Sequence, residues 1–287
     1  MIIVFGATGQ TGGEVTRQLA AQGVPTRALV HNLEKGRMLE GLHVEIVQVD
    51  LAQPETLEVA LTGAEKVYFV ATGPAIQLSA NVYSAAQRAG VRHIVRLSSS
   101  FMVGLDAPVQ LDRWHAQAEQ ALERSGIAYT HLRPSFFMQN LLFLGASGTL
   151  ALPMGDMRVN MVDYRDIAAV AVAALTGAGH EGQTYAITGP EALTFTEVAA
   201  KLTAAAGRTF TYVPVSEAEF AQRLIQAGRP APLAADLAKE YALIGAGHPA
   251  FGVVTDTVPR LTGQPARSVD QFAHDYARAL AAPPQQS

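Results

Sequence analysis

The chain has 287 residues, 49% hydrophobic and 16% charged, and it contains no cysteine, which excludes disulfides, thiolate zinc sites, iron–sulfur clusters and cysteine nucleophiles. Its length predicts one large domain or two unequal ones, at roughly 150 residues per domain, and a net charge of −4 without any run of Lys or Arg argues against a nucleic-acid partner. The apolar stretches 136–144 and 167–175 fall short of the roughly 20 residues of a membrane span, and Met1-Ile2-Ile3-Val4-Phe5 carries no basic n-region and runs straight into a glycine motif, unlike a signal peptide, so a compact, soluble, cytoplasmic protein without a membrane partner is expected.

Ile2–Phe5 is the first of six short runs rich in Val and Ile; the others are Thr26–Val30, Val44–Val49, Lys66–Val70, His93–Leu97 and Ala128–Leu132. Their nearly unbroken apolarity predicts strands buried on both faces of a parallel sheet. Between them, apolar residues recur at helical spacing, at Val15 and Leu19, Leu57 and Leu61, Ala80 to Ala89, and Ala118 and Leu122. Strand and helix in alternation predict right-handed βαβ units, an α/β Rossmann fold with a doubly wound parallel sheet. Beyond Arg133 the pattern loosens into a Gly/Pro-punctuated stretch. It then predicts strands at Arg158–Val162, Thr184–Thr188 and Thr209–Val213, and helices at Arg165–Leu175, Thr194–Ala206, within Ser216–Gly245, and at Val269–Leu280. Thr194 and Glu197 have capping-box spacing. Residues 1–150 are thus expected to form a nucleotide-binding domain. Residues 151–287 are expected to form a smaller α+β substrate-binding lobe, with some segments returning to the sheet.

Gly6-Ala7-Thr8-Gly9-Gln10-Thr11-Gly12-Gly13 directly follows the first strand and opens a helix. In the spacing GxxGxxG, Gly6 allows the tight turn, Gly9 lets the backbone approach a pyrophosphate, and Gly12 lets helix and strand pack closely. The helix N-terminus then presents free N–H groups and a positive dipole end to phosphates. Gly6, Thr8, Gly9, Gln10, Thr11 and Gly12 are therefore candidate dinucleotide ligands. An NAD site usually has an acid at the tip of the second strand; here the tip reads Val30-His31-Asn32-Leu33-Glu34-Lys35 with Arg37 close behind. That favours NADP over NAD, with His31 and Lys35 facing a 2′-phosphate, unless both are merely solvated turn residues. Asp50 and Leu51, after the third strand, either approach the adenine or, for Asp50, cap the helix after Gln53. Ala71 and Thr72, after the fourth, are small enough to run along a cofactor.

These segments are joined by Ser98-Ser99-Ser100, by His115-x-x-x-Glu119-x-x-Leu122-x-x-Ser125-Gly126, by Tyr129-Thr130-x-Leu132-Arg133-Pro134-x-x-Phe137-Met138-x-Asn140, and by Val162-Asp163-x-x-Asp166-Ile167-Ala168. Together they resemble the NmrA-like, atypical short-chain dehydrogenase/reductase family over the whole chain, and are most similar to its bacterial quinone, dye and azo reductase members. The resemblance implies an NADPH-dependent hydride transfer. Its relatives among short-chain dehydrogenases use Tyr-x-x-x-Lys on a helix; here the Lys position falls on His115 and the Tyr position on Leu111. Leucine cannot donate a proton. His115 either anchors the nicotinamide ribose, donates a proton with a pKa near neutrality, or is an unengaged surface histidine; Trp114 beside it packs or stacks on substrate.

Ser98, at the carboxyl end of the fifth strand, either holds a substrate oxygen or serves a turn. Pro134, Phe136, Phe137 and Met138 either wall a nicotinamide and a flat substrate or belong to the core, and Asn140 is placed to bond the loop back. Asp163 and Asp166 most simply cap a helix. With no proton-donating Tyr, the expected chemistry is hydride delivery to a quinone or another conjugated acceptor, with His115 and Ser98 as catalytic candidates and no metal. The alternatives are a non-catalytic redox sensor that binds a protein partner and, further off, an isomerase or dehydratase. A homodimer through the Ala-rich faces of residues 232–246 stays open.

Overall fold

The structure, a computed structural model, describes residues 1–99, 104–248 and 251–282. From the N-terminus its elements are β1 (Ile2–Val4), α1 (Gln10–Ala21), β2 (Thr26–Val30), α2 (Leu33–Gly36), β3 (Glu45–Gln48), α3 (Pro54–Leu61), β4 (Lys66–Phe69), α4 (Ser79–Arg88), β5 (His93–Leu97), α5 (Gln110–Arg124) and β6 (Ala128–Pro134). They continue with β7 (Phe136–Phe137), α6 (Asn140–Leu144), β8 (Thr149–Leu152), β9 (Val159–Val162), α7 (Tyr164–Thr176), β10 (Gln183–Ile187), β11 (Ala192–Leu193), α8 (Phe195–Ala206) and β12 (Thr211–Pro214). The last are α9 (Glu217–Gln226), α10 (Ala231–Gly245), α11 (Thr257–Thr262), α12 (Val269–Asp275) and α13 (Ala277–Ala281).

Seven strands form one sheet in the order β10-β6-β5-β4-β1-β2-β3. All its pairings are parallel, with Ile2 of β1 opposite both Thr26 and Lys66. After β3 the chain recrosses to the other side of β1, so the order reverses between β1 and β4, the switch point where ligands sit in doubly wound sheets. Strand β6 runs past the expected Leu132 to Pro134 because β10 pairs along it as far as Ile187 opposite Pro134. Short strands β7, β8 and β11 were not expected. Each is held by residues distant in sequence, β8 by β12 and β9 by both β7 and β11, and two- to four-residue runs carry too little periodicity to be read locally. The expected final helix is interrupted at Tyr276, giving α12 and α13.

By internal contacts the chain divides into two compact units. The first comprises Met1–Pro134, Tyr164–Ile187 and Arg260–Gly263, and the second Ser135–Asp163, Thr188–Pro259 and Gln264–Ser287. Residues 135–150 thus group with the second unit, and α7 and β10 with the first. In the first unit, Ile3, Leu29, Val67, Val82, Ile94 and Leu122 share one buried cluster, and Phe69 meets Phe5 and Tyr83 edge-on at 5.4 and 5.7 Å. Helix α7, rich in Ala and Val, lies against α1, where Gln18 Nε2 donates to the Arg165 carbonyl at 3.2 Å. In the second unit, Phe136 packs edge-on against Phe195 at 5.7 Å, and Tyr241 stacks on Phe220 at 5.2 Å. Helix α8 starts with the expected capping box between Thr194 and Glu197. Among the described residues no helix is long and apolar enough to cross a membrane.

Candidate functional site

The parallel sheet puts the carboxyl ends of β1 to β6 along one edge, and that edge gathers the loops carrying Gly6, His31, Asp50, Ala71, Ser98 and Pro134. The glycine loop is the tightest of them. Gly6 adopts φ +64, and a Cβ there would lie 2.7 Å from Val70 Cγ1. Its carbonyl accepts from Gly9 N at 2.8 Å. A Cβ on Gly12 would come within 2.3 Å of the Gly6 carbonyl oxygen and 2.8 Å of that of Phe5, both backbone atoms, so helix and strand approach as only glycine permits. Gly9 caps α1 with no side-chain hydrogen bond, and no acid stands in the first turn. The first amides of α1 therefore have no internal acceptor and no competing anion. Gly6, Gly9 and Gln10 are exposed, Thr8 partly so, while Thr11 is buried beside Tyr68.

At the tip of β2, His31 and Lys35 are both exposed. Asn32 caps the short α2 by accepting from Lys35 N at 3.2 Å, and Gln48 Nε2 holds the His31 carbonyl at 2.9 Å. The tip is thus fixed by other side chains, which leaves the His31 and Lys35 side chains at the surface. Asp50 does not cap α3. Its carboxylate accepts from Ala52 N at 2.9 Å and from Gln53 Nε2 at 3.3 Å, closing the turn before the helix, whose cap residue Gln53 makes no side-chain capping bond. Leu51 and Ala71 are half-buried and Thr72 is exposed. Asp163, just before α7, and Asp166, in its first turn, are both buried.

A cluster of buried charged and polar side chains joins β5, β6 and α5. Arg96, in a strand otherwise reading His-Ile-Val-x-Leu, is 1% exposed. Its Nε donates to Tyr83 Oη and its Nη2 to His115 Nδ1, both at 3.1 Å. Burial pushes the Tyr83 phenol up, more than the neighbouring Arg96 charge lowers it, so it stays a neutral hydroxyl. One helical turn after His115, Glu119 receives Arg133 Nε at 3.1 Å and Nη2 at 2.5 Å. Burial raises the Glu119 carboxyl, but the Arg133 guanidinium, by its hydrogen bonds first and by its charge, outweighs it and helps hold the group below the ordinary carboxylate range. Ser98 is buried at the end of β5, its N–H donating to the Leu132 carbonyl at 2.7 Å; Ser99 is also buried, and Ser100 lies outside the described residues.

Two expectations change here. His115 is not a surface histidine: it is 8% exposed. Nor is its pKa near neutrality, because burial and then the Arg96 charge bring it down to about 3. Arg96 and Tyr83 were given no role by the motif reading. The available signal was a lone arginine in an apolar strand, where an unpaired buried charge would be costly.

Pro134, at the end of β6, is buried. Phe136 is 2% exposed and belongs to the aromatic core of the second unit, with Phe195 and Tyr241 each 5.7 Å away, whereas Phe137 is only half-buried. Met138 is fully buried, Asn140 opens α6, and Trp114 and Leu111 on α5 are half-buried. Among the described residues no group of three or more His, Asp or Glu side chains is placed to hold a metal ion.

Known proteins share both sequence and fold. The chain is 42% identical to an NAD(P)H azoreductase of Xenophilus azovorans, over 98% of this chain and 100% of that protein. The structure of an Escherichia coli NADPH-dependent quinone oxidoreductase complexed with NADPH superposes with a TM-score of 0.84 at 32% identity, covering 96% of this chain and 99% of the other. A Citrobacter sp. triphenylmethane reductase complexed with NADP(H) gives 0.83 at 32% identity, covering 96% and 100%. Residues 1–262 match the NmrA-like family from the first strand onward, and the chain belongs to it.

Proposed function

We propose that this protein is an NAD(P)H-dependent oxidoreductase that reduces quinones, azo compounds or related conjugated dyes, with NADP(H) preferred over NAD(H). The observation that carries the reading is the cradle at Gly12. A Cβ there would overlap the backbone of β1's loop, and the α1 amides beside it have no side-chain cap. That combination fits a pyrophosphate at the switch point of the sheet, and the similar reductases supply the reaction class.

Bound NAD(P)H supplies the hydride. In this reading Gly6, Thr8, Gly9, Gln10, Thr11 and Gly12 seat the pyrophosphate. Lys35 and His31, exposed beyond the tip of β2, meet a 2′-phosphate. Asp50 and Leu51 flank the adenine, while Ala71, Thr72 and Pro134 line the path toward the reacting end. Ser98 and His115 stand at that end, where Leu111 offers no proton. A conjugated acceptor suits such a site, because the electron pair displaced by hydride addition spreads onto a terminal oxygen or nitrogen and water completes the protonation.

The same Leu111 is what a non-catalytic sensor would show. Rapid mixing with NADPH and a panel of quinones, azo dyes and triphenylmethane dyes separates the two readings. Multiple turnovers with at least one acceptor are expected. Tight NADPH binding without oxidation by any acceptor overturns the reductase and favours the sensor.

A further inference from the structure

We infer that Arg96 is a positioning residue that holds His115 as the Nε2-protonated, uncharged imidazole, making it a hydrogen-bond donor to the atom on which negative charge builds, and not the source of the proton. The inference rests on the reductase reading for its chemistry, but its structural half stands alone.

A guanidinium has donors only. With Arg96 Nη2 3.1 Å from His115 Nδ1, the imidazole must accept at Nδ1, and its own hydrogen belongs on Nε2. Arg96 is itself fixed on its other side by Tyr83 Oη, and its buried Nη1 has no partner among the described residues. Protonating Nδ1 would break one of the two bonds that aim Arg96 and set two cations face to face in a buried place. The surrounding groups do not reverse this. Glu119, on the same helix, already takes two hydrogen bonds from Arg133 of β6. His131 of β6 faces Glu123, which is half exposed. Tyr83 of α4 stays neutral. Burial and Arg96 together bring His115 down to about 3, in agreement with the geometry.

A neutral imidazole with so low a pKa is an electrophile: its N–H stabilises a developing anion at the moment it forms. Giving that proton away would leave an imidazolate, so transfer stops at the hydrogen bond. The step balances without an acid side chain. Hydride adds to the acceptor, an electron pair moves to its terminal oxygen or nitrogen, that atom accepts from Nε2–H, and water delivers the proton. This accounts for how the site works with Leu111 where a tyrosine would stand.

The test is long-range ¹H–¹⁵N NMR of the full-length, histidine-labelled protein without nucleotide, with His115 assigned by loss of its signals in His115→Gln. The expected spectrum is the neutral Nε2–H tautomer, unchanged across about pH 5–8 where free histidine titrates. In Arg96→Met the burial that lowers His115 most remains, so the imidazole stays uncharged at neutral pH, but Nδ1 no longer faces an obligate donor: Nδ1–H signals are expected beside Nε2–H, with a lower kcat and an unchanged KM for NADPH. His115→Leu is expected to lower kcat about 10²-fold, and His115→Gln, which keeps an amide N–H near the Nε2 position, to restore most of it. An imidazolium or Nδ1–H form at neutral pH overturns the inference. So does an Arg96→Met protein with wild-type spectrum and kcat, or a His115→Gln variant no better than the leucine. Should Arg96→Met fail to fold, Arg96→Gln, which removes the charge and offers an amide that can accept as well as donate, gives the same readouts. The Nε2–H spectrum in a protein that oxidises no NADPH refutes the reductase reading and leaves the tautomer intact.

Discussion

Replacing Gly12 by alanine tests the contact on which the proposed dinucleotide cradle rests. The added Cβ would stand 2.3 Å from the Gly6 oxygen and 2.8 Å from the Phe5 oxygen. Carbon contacts are comfortable only from about 3.5 Å, so α1 must retreat by roughly an ångström. Neither oxygen belongs to a side chain that can swing aside. Stability changes modestly, because overpacking of about 1–3 kcal/mol is partly offset by the helix preference of Ala over Gly, about 1 kcal/mol. The melting temperature should fall by no more than a few degrees. Binding suffers more. Hydrogen bonds to a charged phosphate are worth about 1.5–3 kcal/mol each, and an ångström of retreat removes one or two. The dissociation constant for NADPH should weaken about 10²-fold, measured by titration calorimetry beside a thermal melt. Gly9→Ala provides the contrast: its Cβ would lie 3.2 Å from the Gly6 oxygen, so the loop gives by tenths of an ångström and any loss of affinity there arises from contact with the ligand. A Gly12→Ala protein with wild-type affinity refutes the cradle.

Three further outcomes follow from the charges. Lys35→Ala should weaken NADPH binding about tenfold, the worth of one exposed phosphate contact, and leave NADH binding unchanged; equal losses for both would remove Lys35 from the 2′-phosphate. Arg133→Leu should cost about 3 kcal/mol in urea unfolding, because it strands a Glu119 side chain that is only 5% exposed. Glu119→Gln should cost less, since the 34% exposed Arg133 can turn to water. Because Glu119 is held below its ordinary value, the pair's contribution is present above about pH 4.5 and is lost as the pH falls below it. At the opposite end of the sheet, His93 donates or accepts at Thr130 Oγ1 at 2.9 Å and is lowered to about 4 by burial and then by Lys66. A lowered histidine stabilises above its unfolded pKa of about 6.5 and loses that contribution as the pH falls from there through 4, here about 3 kcal/mol. His93→Gln should therefore flatten the acid limb of stability between those values, and an unchanged limb would assign acid lability to other groups.

The parallel sheet was legible because strands buried on both faces have to be apolar throughout, and Thr26–Val30 and His93–Leu97 end where their sequence patterns end. The glycine loop was legible for a related reason: Gly6 and Gly12 are demanded by backbone geometry, which spacing alone reveals. Fragments such as Phe136–Phe137 and Ala192–Leu193 were not legible, because partners far along the chain make them strands.

The sequence by itself determined the first six strands of the main sheet, their βαβ alternation and the place of the glycine turn, since all three depend on local conformation and on periodic burial. Only the tertiary structure decided the state of His115. Its helix supplies the imidazole, but β5 brings Arg96 to Nδ1 and β6 brings Arg133 to Glu119. Protonation depends on burial and on which charges stand within a few ångströms, and the folded chain alone sets both.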